Sequence, residues 1–432
     1  MNNSKTIGKV GGFNICFRKE ALTSHAGIVL VQEMCERLEI GQLIDQELRV
    51  KQRERGYSDS EHVLAICWNL ITGGSCLSDI EALRGDPGTQ ILLGLKAMPA
   101  AWTIAEFLRK FRIDAICDLR RLLRRVALLL RPRQKVLVWT LDLDASIYEQ
   151  CSRAKEGSRK AYNGQIGYHP LFVFCAETSE LLFSHLLAGN RHPSAKAIWA
   201  LEQALLSVPQ GAKLQLRADS AFYSWKLIDW LEAHQVIYFI TADLGKMLRR
   251  LIEGLPQSAW RKTKFYPGIE VAELWYRPKS RDKEYRYVVK RELVTNDEGQ
   301  TIYKYHAIIT NDTHRRPAKA LKWHSARSTM ENQIKEHKHG FNLEKLPTKK
   351  FHANWAYLLI GQLAFNLIAW FKRLVLPQPY HTAMIKTIRH HLFNLAGKIV
   401  HTARQSFLMI SEDYRYQDVW RFALKQLAKL VT

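Results

Sequence analysis

Residues 136–146 read V-L-V-W-T-L-D-L-D-A-S. Side chains alternate across a strand, so Val136, Val138, Thr140, Asp142 and Asp144 share one face, while Leu137, Trp139, Leu141 and Leu143 share the other. Two carboxylates on one side of an apolar strand are costly unless a cation meets them. A divalent metal or an arginine is therefore expected beside Asp142 and Asp144.

Downstream, G-Y-H-P-L-F-V-F-C-A (167–176) and L-L-F-S-H-L-L-A (181–188) form a hairpin around Glu177, Thr178, Ser179 and Glu180. A helix from about 194 to 207 follows, then the strand K-L-Q-L-R-A-D ending at Asp219, a helix over 224–233, and the strand V-I-Y-F-I-T-A. The order is β-β-β-α-β-α-β, an α/β pattern. Asp219 falls where a parallel strand passes into its crossover, and the carboxyl ends of strands are where open α/β sheets build their sites.

Between 246 and 312 the chain turns β-rich and aromatic, which reads as an inserted β domain ahead of a helix. That helix, H-S-A-R-S-T-M-E-N-Q-I-K-E-H-K-H-G (324–340), places Arg327, Glu331 and Lys338 at offsets of four and seven. At about 100° per residue, Lys338 lies about 20° and Arg327 about 40° round the axis from Glu331. One carboxylate thus sits in a stripe of cations. Glu336 falls about 140° away, the place of a solvated partner for a lysine. His337 and His339 are two apart on a helix and share no face, which disfavours zinc.

The 432 residues carry 64 Lys and Arg against 41 Asp and Glu, a net charge of +23, and 47% are hydrophobic. Such a chain is globular, long enough for several domains, and suited to a polyanion, nucleic acid first. The apolar run from Asn354 to Phe371 nears a membrane-spanning length, but Gln362 and Asn366 within it favour a buried core helix and no membrane partner. Seven widely spaced cysteines with no C-x-x-C pair point to reduced thiols and a cytoplasmic location. The N-terminus lacks the apolar core of a signal peptide.

From about Ser24 to Val126 the pattern is helical, broken at Gly73-Gly74, Gly85-Asp86-Pro87-Gly88 and Pro99. Arg120, Arg121, Arg124 and Arg125, continued by Arg131, Arg133 and Lys135, make its last helix strongly basic, so a helical region 1–130 that grips phosphates and dimerises is expected. In the insertion, Trp260, Phe265, Tyr266, Trp275 and Tyr276 lie among Arg261, Lys262, Lys264 and Arg277. Aromatics among cations suit stacking on unpaired bases, and packing of a small β core is the alternative. After Gly340 and Pro347 the remainder reads as helical, with a break at Pro377-Gln378-Pro379.

Taken in order, L-D-L-D-A-S, G-Y-H-P-L, A-G-N-R-H-P-S, R-A-D-S-A-F-Y-S, Y-H-A-I-I-T-N and R-x-x-x-E-x-x-x-x-x-x-K span about Val136 to Phe341. Together they resemble bacterial insertion-sequence transposases of the DDE class, nearest to family thirteen-eighty, a relative of family four. The resemblance implies an RNase H-like core with a mixed five-stranded sheet, formed by 131–245 and 313–345, interrupted by the insertion 246–312 and followed by a helical region 346–432.

It also implies cut-and-paste transposition: metal-dependent cleavage of the element's ends and strand transfer. The family's first Asp is followed two positions on by Thr or Ser, which matches Asp144 with Ser146, and Asp142 stays open as an alternative or supporting metal ligand. The second Asp falls on Asp219 and the Glu of the Y-R-E-K signature on Glu331. The intervals are 219 − 144 = 75 and 331 − 219 = 112 residues, and an insertion accounts for the second.

Asp144, Asp219 and Glu331 are thus the expected catalytic residues, holding Mg²⁺ or Mn²⁺, two ions per site. Arg327, Lys338, Lys335 and His324, which stands at the signature's tyrosine position, are expected to hold DNA, together with the arginines of the basic helix and Trp260, Lys262, Lys264 and Trp275. The expected partners are double-stranded terminal inverted repeats and target DNA, bound by a homodimer in the nucleoid-associated cytoplasm. The alternatives are a catalytically inactive DNA-binding descendant and a structure-specific RNase H-like nuclease.

Overall fold

The computed structural model of the chain describes residues 7–17, 20–51, 55–130 and 136–430. Arg131, Arg133 and Lys135, expected to extend the basic helix, lie outside them.

One nine-stranded sheet organises the molecule. Its strands, in chain order, are β1 Val138–Ala145, β2 Leu171–Cys175, β3 Leu181–His185, β4 Lys213–Ala218, β5 Ile237–Thr241, β6 Arg261–Lys262, β7 Ile269–Tyr276, β8 Tyr285–Thr295 and β9 Thr301–Thr310. Across the sheet they run β6-β7-β8-β9-β5-β4-β1-β2-β3. The hairpin β2–β3 pairs antiparallel with β1, whereas β4 is parallel to β1 and β5 parallel to β4. Parallel neighbours need crossovers, and the helices Ala197–Leu205 and Trp225–Ala233 supply them.

The expected β insertion is continuous with this sheet. β9 pairs antiparallel with β5, Phe239 opposite Thr310 and Thr241 opposite Ile308, so the inserted strands extend the same sheet. The physical reason is the free edge of β5: its unpaired N–H and C=O groups form a ready template for another strand.

Alternation along β1 gives the sheet two different faces. Trp139, Leu141 and Leu143 pack with Leu171, Val173, Leu216, Tyr238 and the two crossover helices. Phe172, Phe174 and Leu181 face the opposite way, into a core shared with helices from both ends of the chain. That core includes Ile66, Trp68, Leu119 and Leu122 from the N-terminal helices and Tyr357, Leu363 and Phe371 from the long helix Phe351–Leu374. The N-terminal helices therefore share one core with the C-terminal region.

The long helix is buried from Ala353 to Lys372, and among the described residues no single helix is long and apolar enough to cross a membrane. Its polar residues serve the sheet edge. Gln362 Nε2 and Asn366 Nδ2 donate to the Leu181 carbonyl at 2.8 and 2.9 Å, Asn366 Oδ1 accepts from Leu181 N at 2.9 Å, and Ser184 Oγ donates to Gln362 Oε1 at 2.7 Å. Two amides one turn apart thus do for the edge strand β3 what a tenth strand would do.

The C-terminal region is not all helical. Gly397–His401 and Ser406–Met409 form an antiparallel pair, which Leu22–Thr23 joins to make a three-stranded sheet.

Candidate active site

Asp142, expected as a possible metal ligand, has its cation already. Arg217 Nε and Nη2 donate to its two carboxylate oxygens, each at 2.6 Å, and Asp142 is only 1% exposed. Both of its oxygens accept from the buried guanidinium, so the cation that its burial calls for is supplied by Arg217. Register explains the pairing, since Arg217 stands opposite Asp142 on the adjoining parallel strand. Arg217 Nη1 also donates to the Trp323 carbonyl at 3.0 Å, in the helix Pro317–Ser325. One guanidinium thus ties together β1, β4 and the helix leading to Glu331.

Two residues beyond that pair come Asp144, ending the acidic face of β1, and Asp219, following the last residue of β4. Asp219 Oδ1 accepts from Ala221 N at 3.0 Å, which turns the chain out of the strand. Asp144 Oδ1 accepts from Ala145 N at 2.7 Å, and its Oδ2 accepts from Arg327 Nη1 at 2.8 Å. Arg327 Nη2 reaches Glu331 Oε1 at 3.3 Å. The arginine thus bridges two of the three expected catalytic carboxylates.

The Asp144 carboxyl is pushed up to about 6, first by burial and further by the negative charges of Asp219 and Glu331, although Arg327 opposes the shift. Asp219 and Glu331 therefore both act electrostatically on Asp144.

Hard carboxylate oxygens suit Mg²⁺ or Mn²⁺. Burial and two neighbouring carboxylates oppose the charge of Asp144 more than Arg327 favours it, so the set fits a divalent cation in donor type and in charge. Among the described residues, no three His, Cys, Asp or Glu side chains stand in ligating spacing, and the Arg327 guanidinium lies between two of the candidates. Ligation by the set requires Arg327 to release its oxygens.

The helix over 324–340 is interrupted. Pro317–Ser325 ends before Arg327, Ser328–Lys335 carries Glu331, and Glu336–Gly340 is a π-helical turn. Arg327 and Glu331 meet as their spacing predicts. The π turn breaks the α-helical register beyond Lys335, so Lys338 leaves the stripe. Its ammonium donates to the Ile147 carbonyl at 2.9 Å and pairs with Glu344 at 2.8 Å, which engages the charge expected to hold phosphate. Glu336 is buried, not solvated, and its Oε1 accepts from Ile385 N at 2.6 Å.

His324 is buried too. Its Nε2 lies 3.2 Å from the Ala218 carbonyl and 3.3 Å from Thr241 Oγ1, and burial pushes its proton affinity down to about 3. It packs beneath the end of β4 as a neutral ring, so the expected DNA contact is corrected to a support of the strand that leads to Asp219. Lys335 is exposed.

Arg120, expected on phosphate, stacks instead against Phe183, Trp199 and Trp355 at 4.7–4.9 Å from their centroids, and its Nη2 lies 2.8 Å from His185 Nδ1. Burial lowers both groups, Arg120 to about 10 and His185 to about 3. The arginine clamps the helix Ile113–Leu130 onto the sheet edge. Arg125 pairs with Glu47, and Arg121 with Asp118 at 2.6 Å. Arg120, Arg121 and Arg124 line one cavity of about 390 Å³.

In the insertion, Trp260 is buried under the Arg291 guanidinium at 4.2 Å, which corrects it from a base-stacking candidate to a core residue. Trp275 is 50% exposed and Lys262 and Lys264 are exposed, so these three remain on the surface.

Sequence reasoning missed Arg217, Glu336 and the edge-strand role of Gln362 and Asn366. A signal existed for Arg217: it lies two before Asp219 and so on the same strand face.

A comparison with curated proteins finds no match. Among solved structures, the chain is similar to a piggyBac transposase synaptic complex with hairpin DNA, seen by cryo-electron microscopy. Identity is 10%, the alignment covers 96% of this chain and 88% of that one, and the TM-score is 0.45. The family model for the transposase DDE domain, group 1, matches residues 12–432. The chain belongs to this family of DDE transposases.

Proposed function

We propose that the protein is a metal-dependent cut-and-paste transposase of an insertion sequence, bacterial and near family thirteen-eighty. In this reading it cleaves DNA at the terminal inverted repeats of its own element and joins the freed 3′-hydroxyl to target DNA, working as a homodimer when bound. The strand order β3-β2-β1-β4-β5, antiparallel over the first three and parallel over the last, supports an RNase H-like core. One observation carries the chemistry: three separate elements bring Asp144, Asp219 and Glu331 together, Arg327 bridging the first and third at 2.8 and 3.3 Å, and Asp219 and Glu331 adding to the effect of burial on the Asp144 carboxyl.

In this reading Asp144, Asp219 and Glu331 hold Mg²⁺ or Mn²⁺, two ions per site. When bound, such ions supply activation of a water or sugar hydroxyl and stabilisation of the leaving oxygen. The chain's own residues do the rest. Arg217 fixes the strand positions of the two aspartates through Asp142. Arg327 offers a planar fork suited to a backbone phosphate beside the carboxylates. Exposed Lys335, Lys262, Lys264 and Trp275 offer cations and one aromatic face to the duplex, which brings about one negative charge per 1.7 Å.

The test is cleavage of terminal-repeat duplex by Asp219→Asn and Glu331→Gln. Both variants are expected to lose cleavage and strand transfer while binding DNA nearly as the unsubstituted protein does. Cleavage retained by either overturns the reading, and cleavage without strand-transfer products would make the protein a nuclease.

A further inference from the structure

Arg327 and Arg217 each meet a β1 aspartate, and the contrast between them is informative. Arg217 and Asp142 are joined by two bonds of 2.6 Å, both side chains are almost wholly buried, and the Trp323 carbonyl takes a further donor. That pair is closed. Arg327 makes a single bond to each of two carboxylates, at 2.8 and 3.3 Å, and its side chain is 15% exposed. Its second partner, Glu331, is about half exposed, and Arg327 sits in the break between the helices Pro317–Ser325 and Ser328–Lys335. Among the described residues nothing else bonds its guanidinium, and through the half-exposed Glu331 the contact reaches the solvent side of the site.

A guanidinium carries five donors and takes a phosphate through two parallel bonds, a better geometry than one bond to each of two separate carboxylates. We infer that Arg327 is the exchange partner coupling cation binding to DNA binding. Without DNA it neutralises Asp144 and Glu331; a backbone phosphate draws it off and leaves their oxygens to a divalent cation. The inference rests on the reading in which those carboxylates hold metal. A cation and Arg327 compete for Asp144 Oδ2, whereas the phosphate and the cation do not compete with each other. Each therefore favours the other, and by linkage the two enhancements are equal.

The expected behaviour is weak cation binding by the free protein and tight binding by the complex. It keeps an uncommitted enzyme from being charged with metal away from its substrate.

The test is Mn²⁺ binding, followed through the electron paramagnetic resonance signal of the free ion, to the full chain, Arg327→Gln, Arg327→Lys and Asp219→Asn, with and without terminal-repeat duplex. Thermal melts establish that each variant is folded. Free Arg327→Gln is expected to bind Mn²⁺ about tenfold tighter than the unsubstituted chain, within the usual range of such couplings. Duplex is expected to tighten the unsubstituted chain by a similar factor and to leave Arg327→Gln unchanged, while Arg327→Lys, which keeps the charge, should retain part of the coupling. Equal Mn²⁺ affinity in the unsubstituted chain and Arg327→Gln, with Asp219→Asn weaker, overturns the exchange and leaves the metal site standing. Binding unaffected by Asp219→Asn, or no binding by any protein, overturns the metal site itself.

Discussion

Asp144 is held in the fold at a cost, because burial and two neighbouring carboxylates oppose its charge more than Arg327 favours it. The sign follows from linkage. A carboxyl raised from 3.8 in the unfolded chain to about 6 in the fold stabilises the protein fully below the lower value, and that contribution is lost as pH rises through the upper one. The shift corresponds to about 3 kcal/mol. Asp144→Asn is therefore expected to be more stable than the unsubstituted protein at pH 7.5 without metal, the difference shrinking to nothing near pH 4, while cleavage is abolished. Urea unfolding across that pH range checks it, and an Asn variant less stable at pH 7.5 refutes it. Alternation alone placed both aspartates on one face. It could not say which of them receives an arginine, because Arg217 comes to Asp142 only through the parallel register of a strand 75 residues away, 217 − 142 = 75.

Single elements were readable where a periodicity persisted and misread where it changed. The strands β1 to β5 and the two crossover helices follow their patterns closely, because alternation, a short apolar run or helical periodicity persists through each of them. The 324–340 segment changes period at Glu336, and a π turn leaves no mark in residue spacing, so Arg327 and Glu331 met as expected and Lys338 did not. On the helix Phe351–Leu374 the amides at 362 and 366 marked a buried helix, yet their service to β3 depends on which strand ends the sheet. That service is testable. Asn366→Leu leaves the Leu181 N–H without a partner and is expected to cost about 2 kcal/mol, within the range for a buried unsatisfied group. Gln362→Leu leaves the Leu181 carbonyl still bonded to Asn366 but takes the acceptor from the buried Ser184 hydroxyl, and is expected to cost a comparable amount, about 2 kcal/mol. Chemical denaturation measures both, and a loss below about 0.5 kcal/mol in either, the size of an ordinary surface substitution, would refute the edge-strand account.

Across the whole molecule, the division into a helical region, a core and a β insertion described the elements but not how they are joined. Hydrogen bonding runs unbroken from the insertion through β5 to β1, and Phe172, Phe174, Met330 and Ile334 share a core with helices from both ends of the chain. Such joins depend on long-range pairing, which local composition does not encode. A fragment comprising residues 136–345 is accordingly expected to be insoluble or to lack a cooperative melt, because it would expose that shared apolar surface; a soluble, cooperatively melting fragment would refute the shared core. The same join has a consequence for synthesis. The N-terminal helices leave the ribosome long before the helix Phe351–Leu374 that closes their core, and Asp219 precedes Glu331 by 331 − 219 = 112 residues. At about 5–20 residues per second, about 6–22 s separate the second acid from the third. A nascent chain that has not passed Glu331 accordingly holds two of the three acids of the proposed site, and one that has not passed Leu374 holds no finished core, so the proposed site is assembled only after both have left the ribosome.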